Sequence, residues 1–431
     1  RGLGDVYKRQ FVIYYKFLTF SLEIYAYYGK IRATALYLKF QKGMNVLNDF
    51  TYQNKTKIVF GKNSENQLPQ LIKKYGSKIL LVYGGESIKE IGLYDKVTAM
   101  LNENQIEYFE LSGIVPNPRL RKVYEGIDIC RQQNIEFILA VGGGSVIDTA
   151  KAVALGFSYE GDVWDFFENR NEPEACLPVG VVLTIPAAGS ESSENLVITK
   201  EDGLLKRGYG SEKLRPQFAI MNPETTYSLP FYQTACGISD MLAHIMERYF
   251  TKTEHVDVSD RLCEGLMRAI ISNAKLVKQD PENYDARAEI MWAGTLAHSG
   301  LIGMGREEDW GSHAIEHELS AIYDIAHGAG LSIIFPAWMK HVYRENEERF
   351  VQFAQRVMNV ELPNSMVYET IMEGISRLEC FYTSLGLPTR LSAVGIDSSH
   401  LEEMAKKANS CGNFKKLDAS DIYKIYKLAL D

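Results

Sequence analysis

Asp240 and His244 stand four residues apart in GISDMLAHIMERYF (237–250), and His313, His317 and His327 fall within fifteen residues in WGSHAIEHELSAIYDIAHG (310–328). On a helix, positions i and i+4 emerge on one face a turn apart, so the first pair presents a carboxylate and an imidazole together. Alone, such a pair is more often a hydrogen bond on a helix surface. With three more histidines nearby in sequence, the set suits a divalent first-row metal, Fe2+ or Zn2+, between which the residue types do not choose. All eight histidines lie at or beyond His244, which assigns this chemistry to the C-terminal half.

A second constellation lies upstream. EFILAVGGGSVIDTAKAVAL (136–155) reads as a buried strand, three glycines, a serine and a helix. Glycines in such a turn admit a bulky anion, and the free N–H groups and positive dipole end of the helix favour its charge, so a pyrophosphate is the natural guest. The plainer reading is a tight strand-to-helix connection, and the spacing is not G-x-G-x-x-G. Gly84, Gly85, Glu86 and Ser87 follow another strand, KILLVY (78–83). A carboxylate after the second strand ordinarily binds ribose hydroxyls and rejects a 2′-phosphate. Here glycines come first, leaving room for a phosphate near Ser87 and Lys89, while Glu86 opposes it; the balance tips slightly to NADP(H) over NAD(H).

Strands and helices in alternation must position these residues. KIVF (57–60), KILLVY, EYFEL (107–111), EFILAV (136–141) and GVVLTIP (180–186) read as buried strands, with amphipathic helices at 64–76, 92–105 and 120–134 between them. That order implies a parallel sheet flanked by helices. Beyond about Pro230 strand signals cease, and DRLCEGLMRAIISNAKLVK (260–278) and DARAEIMWAGTLAHSG (285–300) read as long helices. The expected organisation is α/β followed by all-α: a dinucleotide-binding domain over 44–229 and a helical metal-binding domain over 230–431.

Composition limits the partners. The chain has 431 residues, 46% hydrophobic and 24% charged, and a net charge of −8, which gives no footprint for nucleic acid or an anionic membrane. Six dispersed cysteines form no Cys-x-x-Cys pair, so neither a disulfide framework nor a thiolate zinc site is indicated, and a reducing cytoplasm is expected. The apolar stretch near Phe11 to Tyr28 is interrupted by Lys16 and Glu23 and makes a poor membrane anchor. The opening RGLGDVYKRQ resembles translated adapter sequence, and residues 1–43 are expected to be a non-native or disordered extension.

With EHELSAIYDIAHG, AVGGGSVIDTAK, YGGESIKEIGLYDKV, ELSGIVPNPR, LRPQFAIMNPE, the Gly-Ser-Glu at 189–191 and LGLPTRLSAVGI, the chain resembles the iron-containing alcohol dehydrogenases, in their butanol dehydrogenase branch, over nearly all of 44–431. The resemblance implies the dehydroquinate synthase-like fold that this family adopts, a homodimer, a small alcohol or aldehyde substrate such as butanol or butanal, and metal ligands at Asp240, His244, His313 and His327. It implies dinucleotide contacts at Gly84, Gly85, Ser87, Asn117, Gly143, Gly144, Ser145, Asp148, Thr184, Ser190 and Lys206. His317 matches a histidine beside the nicotinamide, where it would relay a proton. Glu86 and Ala188 depart from the usual glycine and threonine. Trp164 and Trp310 are candidate walls of the substrate pocket, although large aromatics are more often core.

The alternatives are a same-fold enzyme on a polyol or phosphorylated substrate, in the manner of a glycerol or glycerol-phosphate dehydrogenase or a dehydroquinate synthase, and a non-catalytic nucleotide-binding protein. The former calls for Lys and Arg facing the metal cleft; the latter calls for a broken metal site.

Overall fold

The structure, a computed structural model, describes residues 47–408 and 410–431, so the expectation for 1–43 lies outside the described residues. Asn48–Lys252 and Val256–Asp431 form one compact unit, with Leu47 and Thr253–His255 outside it. Its first half runs β1 (Lys57–Phe60), α1 (Leu68–Ile72), β2 (Lys78–Tyr83), α2 (Ser87–Glu90), α3 (Leu93–Glu103), β3 (Glu107–Leu111), α4 (Leu120–Gln133), β4 (Phe137–Gly142), α5 (Gly144–Phe157), α6 (Trp164–Phe167), β5 (Val179–Leu183), β6 (Asn195–Lys200), β7 (Leu205–Gly210) and β8 (Phe218–Met221).

Six strands make one parallel sheet in the order β1-β8-β5-β4-β2-β3. Every residue of β4 and β5 is buried, as expected for strands covered on both faces, and this is why they read as unbroken apolar runs. The chain steps outward from β2 to β3, then places β4 on the other side of β2 and continues away from it. The carboxyl ends of β2 and β4 therefore flank a topological switch point, where open α/β sheets bind ligands. Both glycine clusters, 84–85 and 142–144, leave the sheet there.

Sheet packing makes one glycine indispensable. A Cβ on Gly180 in β5 would collide with the Phe218 ring and come within 2.6 Å of Phe137 Cζ, and these two rings stack at 5.7 Å. Gly180→Ala should lose about 1–3 kcal/mol of stability, the usual cost of forcing extra volume into a packed core, measurable as a lowered urea midpoint.

Neither β8 nor the antiparallel hairpin β6–β7 was among the expected strands. The hairpin's signal was available: Asp202-Gly203 sits between NLVITK and LKRGYG, and Gly203 takes φ +80° in the turn.

The second half comprises α7 (Phe231–Tyr249), α8 (Asp257–Gln279), α9 (Tyr284–His298), α10 (Gly311–Tyr323), α11 (His327–Val342), α12 (Glu347–Arg356), α13 (Val367–Ser384), α14 (Leu401–Lys407) and α15 (Ala419–Leu430). Gly328 through Met339 of α11 are all buried, which marks it as the central helix of the bundle. Phe335 and Trp338 lie 5.3 Å apart within an aromatic cluster that includes Phe250, itself stacked on Phe350 at 4.5 Å.

Candidate metal centre and dinucleotide cleft

Helix α7 carries Asp240 and His244 on one face, and that stripe continues to Glu247 at i+7. Helix α10 contributes His313, Glu316 and His317, and α11 contributes His327. Ligand atoms of Asp240, His313 and His327 lie within 4.8 Å of one another. His327 Nε2 is 3.7 Å and His313 Nε2 is 4.0 Å from Asp240 Oδ1. His313 Nε2 is buried without a hydrogen-bond partner, an expensive state unless a further ligand satisfies it, and Asp240 Oδ1 has only His244 Nδ1 beside it, at 3.1 Å. An oxygen and imidazole nitrogens converging in this way fit a divalent cation. The ring of the fourth predicted ligand, His244, is 4.7 Å from that of His313. Its Nδ1 is 2.9 Å from the Asp240 carbonyl oxygen, four residues back on its own helix, and donating there leaves the Nε2 lone pair for a metal.

A second layer of oxygens fixes the other imidazoles. His313 Nδ1 is 2.7 Å from Glu247 Oε1, and Glu247 also accepts from the Trp310 and His313 backbone N–H groups. His327 Nδ1 bonds Glu316 Oε2, and Glu316 further accepts from Ser320 Oγ. A ligating histidine ordinarily shows this arrangement, its second nitrogen oriented by an oxygen so that the first is bare. Burial, reinforced by the neighbouring His244 and His327, pushes His313 far below the usual histidine range and keeps it neutral. Burial alone would raise Asp240, but the imidazoles of His244, His327 and His313 outweigh it and hold the carboxyl well below its ordinary value.

Glu316, His317 and His327 form a second cluster with ligand-like spacing. Lys206 Nζ, buried and 3.6 Å from Glu316 Oε2, already supplies a positive charge there, so Asp240, His313 and His327 are the better cation site. His317 is half-buried in the cavity wall, its ring 5.6 Å from that of His327. Burial, followed by Lys206 and His327, lowers its pKa well below the usual range.

One cavity of about 1100 Å3 joins this centre to the switch point of the sheet, and every predicted metal, dinucleotide and proton-relay residue lines it. The glycine loop divides by function. A Cβ on Gly142 would meet Val146 at 2.6 Å and one on Gly143 would meet Ile185 at 2.9 Å, so a tight strand-to-helix connection accounts for both. Packing does not account for Gly144, where a Cβ would reach only Ala188 Cβ at 3.7 Å, or for Gly85, with nothing within 4 Å. Gly144 and Ser145 open α5, whose first N–H groups are available to an anion. Ser87 opens α2 beside the glycine pair, and Thr184, next to β5, donates its N–H to Gly142 O at 3.1 Å.

Besides Lys206, three of the predicted dinucleotide contacts, Asp148, Ser190 and Asn117, have side-chain partners within the chain. Asp148 Oδ1 accepts from Ser190 Oγ at 2.6 Å and its Oδ2 accepts from Val197 N at 3.0 Å. Lys151, absent from the predicted set, donates to Ser190 Oγ, Ser193 O and Asn195 O at 2.8–2.9 Å. Asn117 donates to Asp324 Oδ1 at 2.9 Å, tying the loop after β3 to the turn that precedes His327. Trp310 lines the cavity, whereas Trp164 does not; it is core, stacked on Phe167 at 5.0 Å. Sequence reasoning also passed over Glu247 and Glu316. Glu247 was legible as the i+7 member of the Asp240 stripe; Glu316 needed the fold, because its partner lies on another helix.

The comparisons with known proteins agree with this geometry. The family model described as iron-containing alcohol dehydrogenase matches residues 55–223, and that of the Fe-containing alcohol dehydrogenase C-terminal region matches 234–430. The chain is 44% identical over 387 residues to a probable NADH-dependent butanol dehydrogenase 1 of Bacillus subtilis, covering 89% of this chain and 100% of that one. It is 40% identical to NADH-dependent butanol dehydrogenase A of Clostridium acetobutylicum, covering 88% and 98%. The crystal structure of NADH-dependent butanol dehydrogenase A from Thermotoga maritima superposes with a TM-score of 0.87 at 39% identity, covering 90% of this chain and 100% of that one. This chain belongs to the iron-containing alcohol dehydrogenase family.

Proposed function

We propose that the protein transfers hydride between a nicotinamide dinucleotide and a small primary alcohol or aldehyde of the butanol and butanal type. The observation that carries this reading is one cavity with a glycine-lined helix N-terminus at one end and converging carboxylate and imidazole ligand atoms at the other. When bound, a divalent ion on Asp240, His244, His313 and His327 supplies Lewis acidity to the substrate oxygen, and the nicotinamide supplies or takes the hydride. The chain's own residues do the rest. The α5 N-terminus and Gly85 receive the dinucleotide, Trp310 walls the pocket, and His317, facing the cavity, accepts or returns one proton per turnover at a ring nitrogen. A phosphorylated substrate is disfavoured. The cations lining the cavity among the described residues are Lys206 and Arg248, and these already pair with Glu316 at 3.6 Å and Glu308 at 3.1 Å.

The test is oxidation of NADH and NADPH with butanal by protein stripped of metal and then given Fe2+ or Zn2+. Turnover restored by metal supports the reading; tight metal and dinucleotide binding with no turnover overturns it in favour of a lyase or a non-catalytic binder.

For the dinucleotide, the reading is NADH over NADPH, against the slight tilt of the glycine pair. Glu86 is largely exposed just past β2 and holds Lys89 at 3.1 Å, so its charge opposes a 2′-phosphate and the lysine is already engaged. The relatives named above as NADH-dependent support the same choice. Glu86→Gly should narrow the ratio of the two kcat/KM values by about tenfold, or ~1.4 kcal/mol, chiefly through KM for NADPH.

The chain is further read as a cytoplasmic homodimer, with 44–229 holding the dinucleotide and 230–431 the metal. Light scattering at twice the 48.7 kDa chain mass would support the dimer. Among the described residues no helix is long and apolar enough to cross a membrane.

A further inference from the structure

Glu316 has no assigned role, yet the structure makes unusual room for it. Its side chain is completely buried, and it meets His327 Nδ1, Ser320 Oγ and Lys206 Nζ. It also occupies the space that a side chain on α11 would fill: a Cβ on Gly330 would overlap Glu316 Oε1 and come within 2.7 Å of its Cγ. Lys206 reaches this carboxylate from β7, in the α/β half, and its Nζ is also 3.4 Å from His327 Nδ1. One ligand of the metal centre is thus oriented by an anion whose charge is opposed by a cation from the dinucleotide side.

We propose that Glu316 is a positioning residue that sets metal affinity through His327, and that Lys206 opposes it. This rests on the reading of Asp240, His313 and His327 as metal ligands. The Glu316 carboxylate holds the Nδ1–H tautomer of His327, fixes the ring plane and raises the basicity of Nε2. Lys206 adds positive charge a few ångströms from the cation and subtracts from that effect. The two residues therefore have opposite signs, which no general loosening of the fold would produce.

The experiment is Zn2+ titration of the metal-stripped full-length chain against a chromophoric chelator, without dinucleotide, for the wild type, Glu316→Gln and Lys206→Met. Thermal unfolding of each metal-free protein checks folding. Glu316→Gln should bind Zn2+ about 10–100-fold more weakly, the usual cost of losing such an outer partner. Lys206→Met should bind it about threefold or more tightly, because a like charge is removed. Unchanged affinity in Glu316→Gln, or weakened affinity in Lys206→Met, overturns the proposal while leaving the metal site standing. A wild-type chain that takes up no Zn2+ overturns the ligand assignment itself, and the proposal with it. If Glu316→Gln does not fold, the sign of the Lys206→Met change decides.

Discussion

His327→Ala is expected to lower kcat/KM for butanal by about a thousandfold or more while leaving NADH affinity within a few-fold of wild type. The size follows from the role: a cation polarising the substrate oxygen contributes several kcal/mol at the transition state, and each ~1.4 kcal/mol is a factor of ten in rate. The selectivity follows from position. His327 starts α11 in the helical half, whereas the glycine loop that would take the pyrophosphate starts α5 in the other. Removing the imidazole takes away one of the converging ligand atoms and leaves Glu316, fully buried, without its His327 partner. Steady-state kinetics with NADH fluorescence titration would check both halves. Near wild-type turnover in a metal-replete His327→Ala variant would remove this residue from the ligand set.

Lys151→Met should be strongly destabilising, at about 3–5 kcal/mol, because it leaves the Ser190, Ser193 and Asn195 oxygens without their buried donor. Asp148 is half-buried in the cavity wall; desolvation raises its pKa and Lys151 is the largest opposing influence. The lysine also satisfies Ser193 O and Asn195 O, which connects α5 to the segment entering β6. Thermal unfolding should show a Tm lower by several degrees, with part of the loss recovered in Asp148→Asn/Lys151→Met. Burial, opposed by Asp148 and Glu191, holds the Lys151 ammonium down to about 8 against its ordinary 10.5. Between those values the unfolded chain carries a proton that the folded chain lacks, so wild-type stability gains on Lys151→Met as pH rises from about 8 to 10.5. A gap that closes over that range would contradict the assignment.

Both predictions concern residues whose types were visible from the outset and whose partners were not. The Asp240-His244 pair, the strand-glycine-helix unit at 137–157 and the change from strands to helices after Met221 are local patterns, each set by a period of two or 3.6 residues or by glycine at a turn. Such patterns need no knowledge of distant contacts, which is why the parallel sheet and the helical second half could be read from the chain alone. The strand order could not. Placing β4 against β2 brings 84–87 beside 142–145, and only that crossing makes a cleft of two separate glycine clusters.

The same distinction runs through the site. Amino-acid types and helical spacing determined that this protein carries a carboxylate and imidazoles suited to a divalent ion, together with an anion-binding helix start. Tertiary structure alone decided that packing requires glycine at 142 and 143 but not at 144, although all three line the cavity, that Trp164 is core, and that Asp148 bonds Ser190 and Val197. It alone brought Glu316, Lys206 and His327 together from α10, β7 and α11. The physical reason is that burial, and the charge left unpaired by burial, depends on what packs from elsewhere in the chain, and no local period of the sequence encodes that.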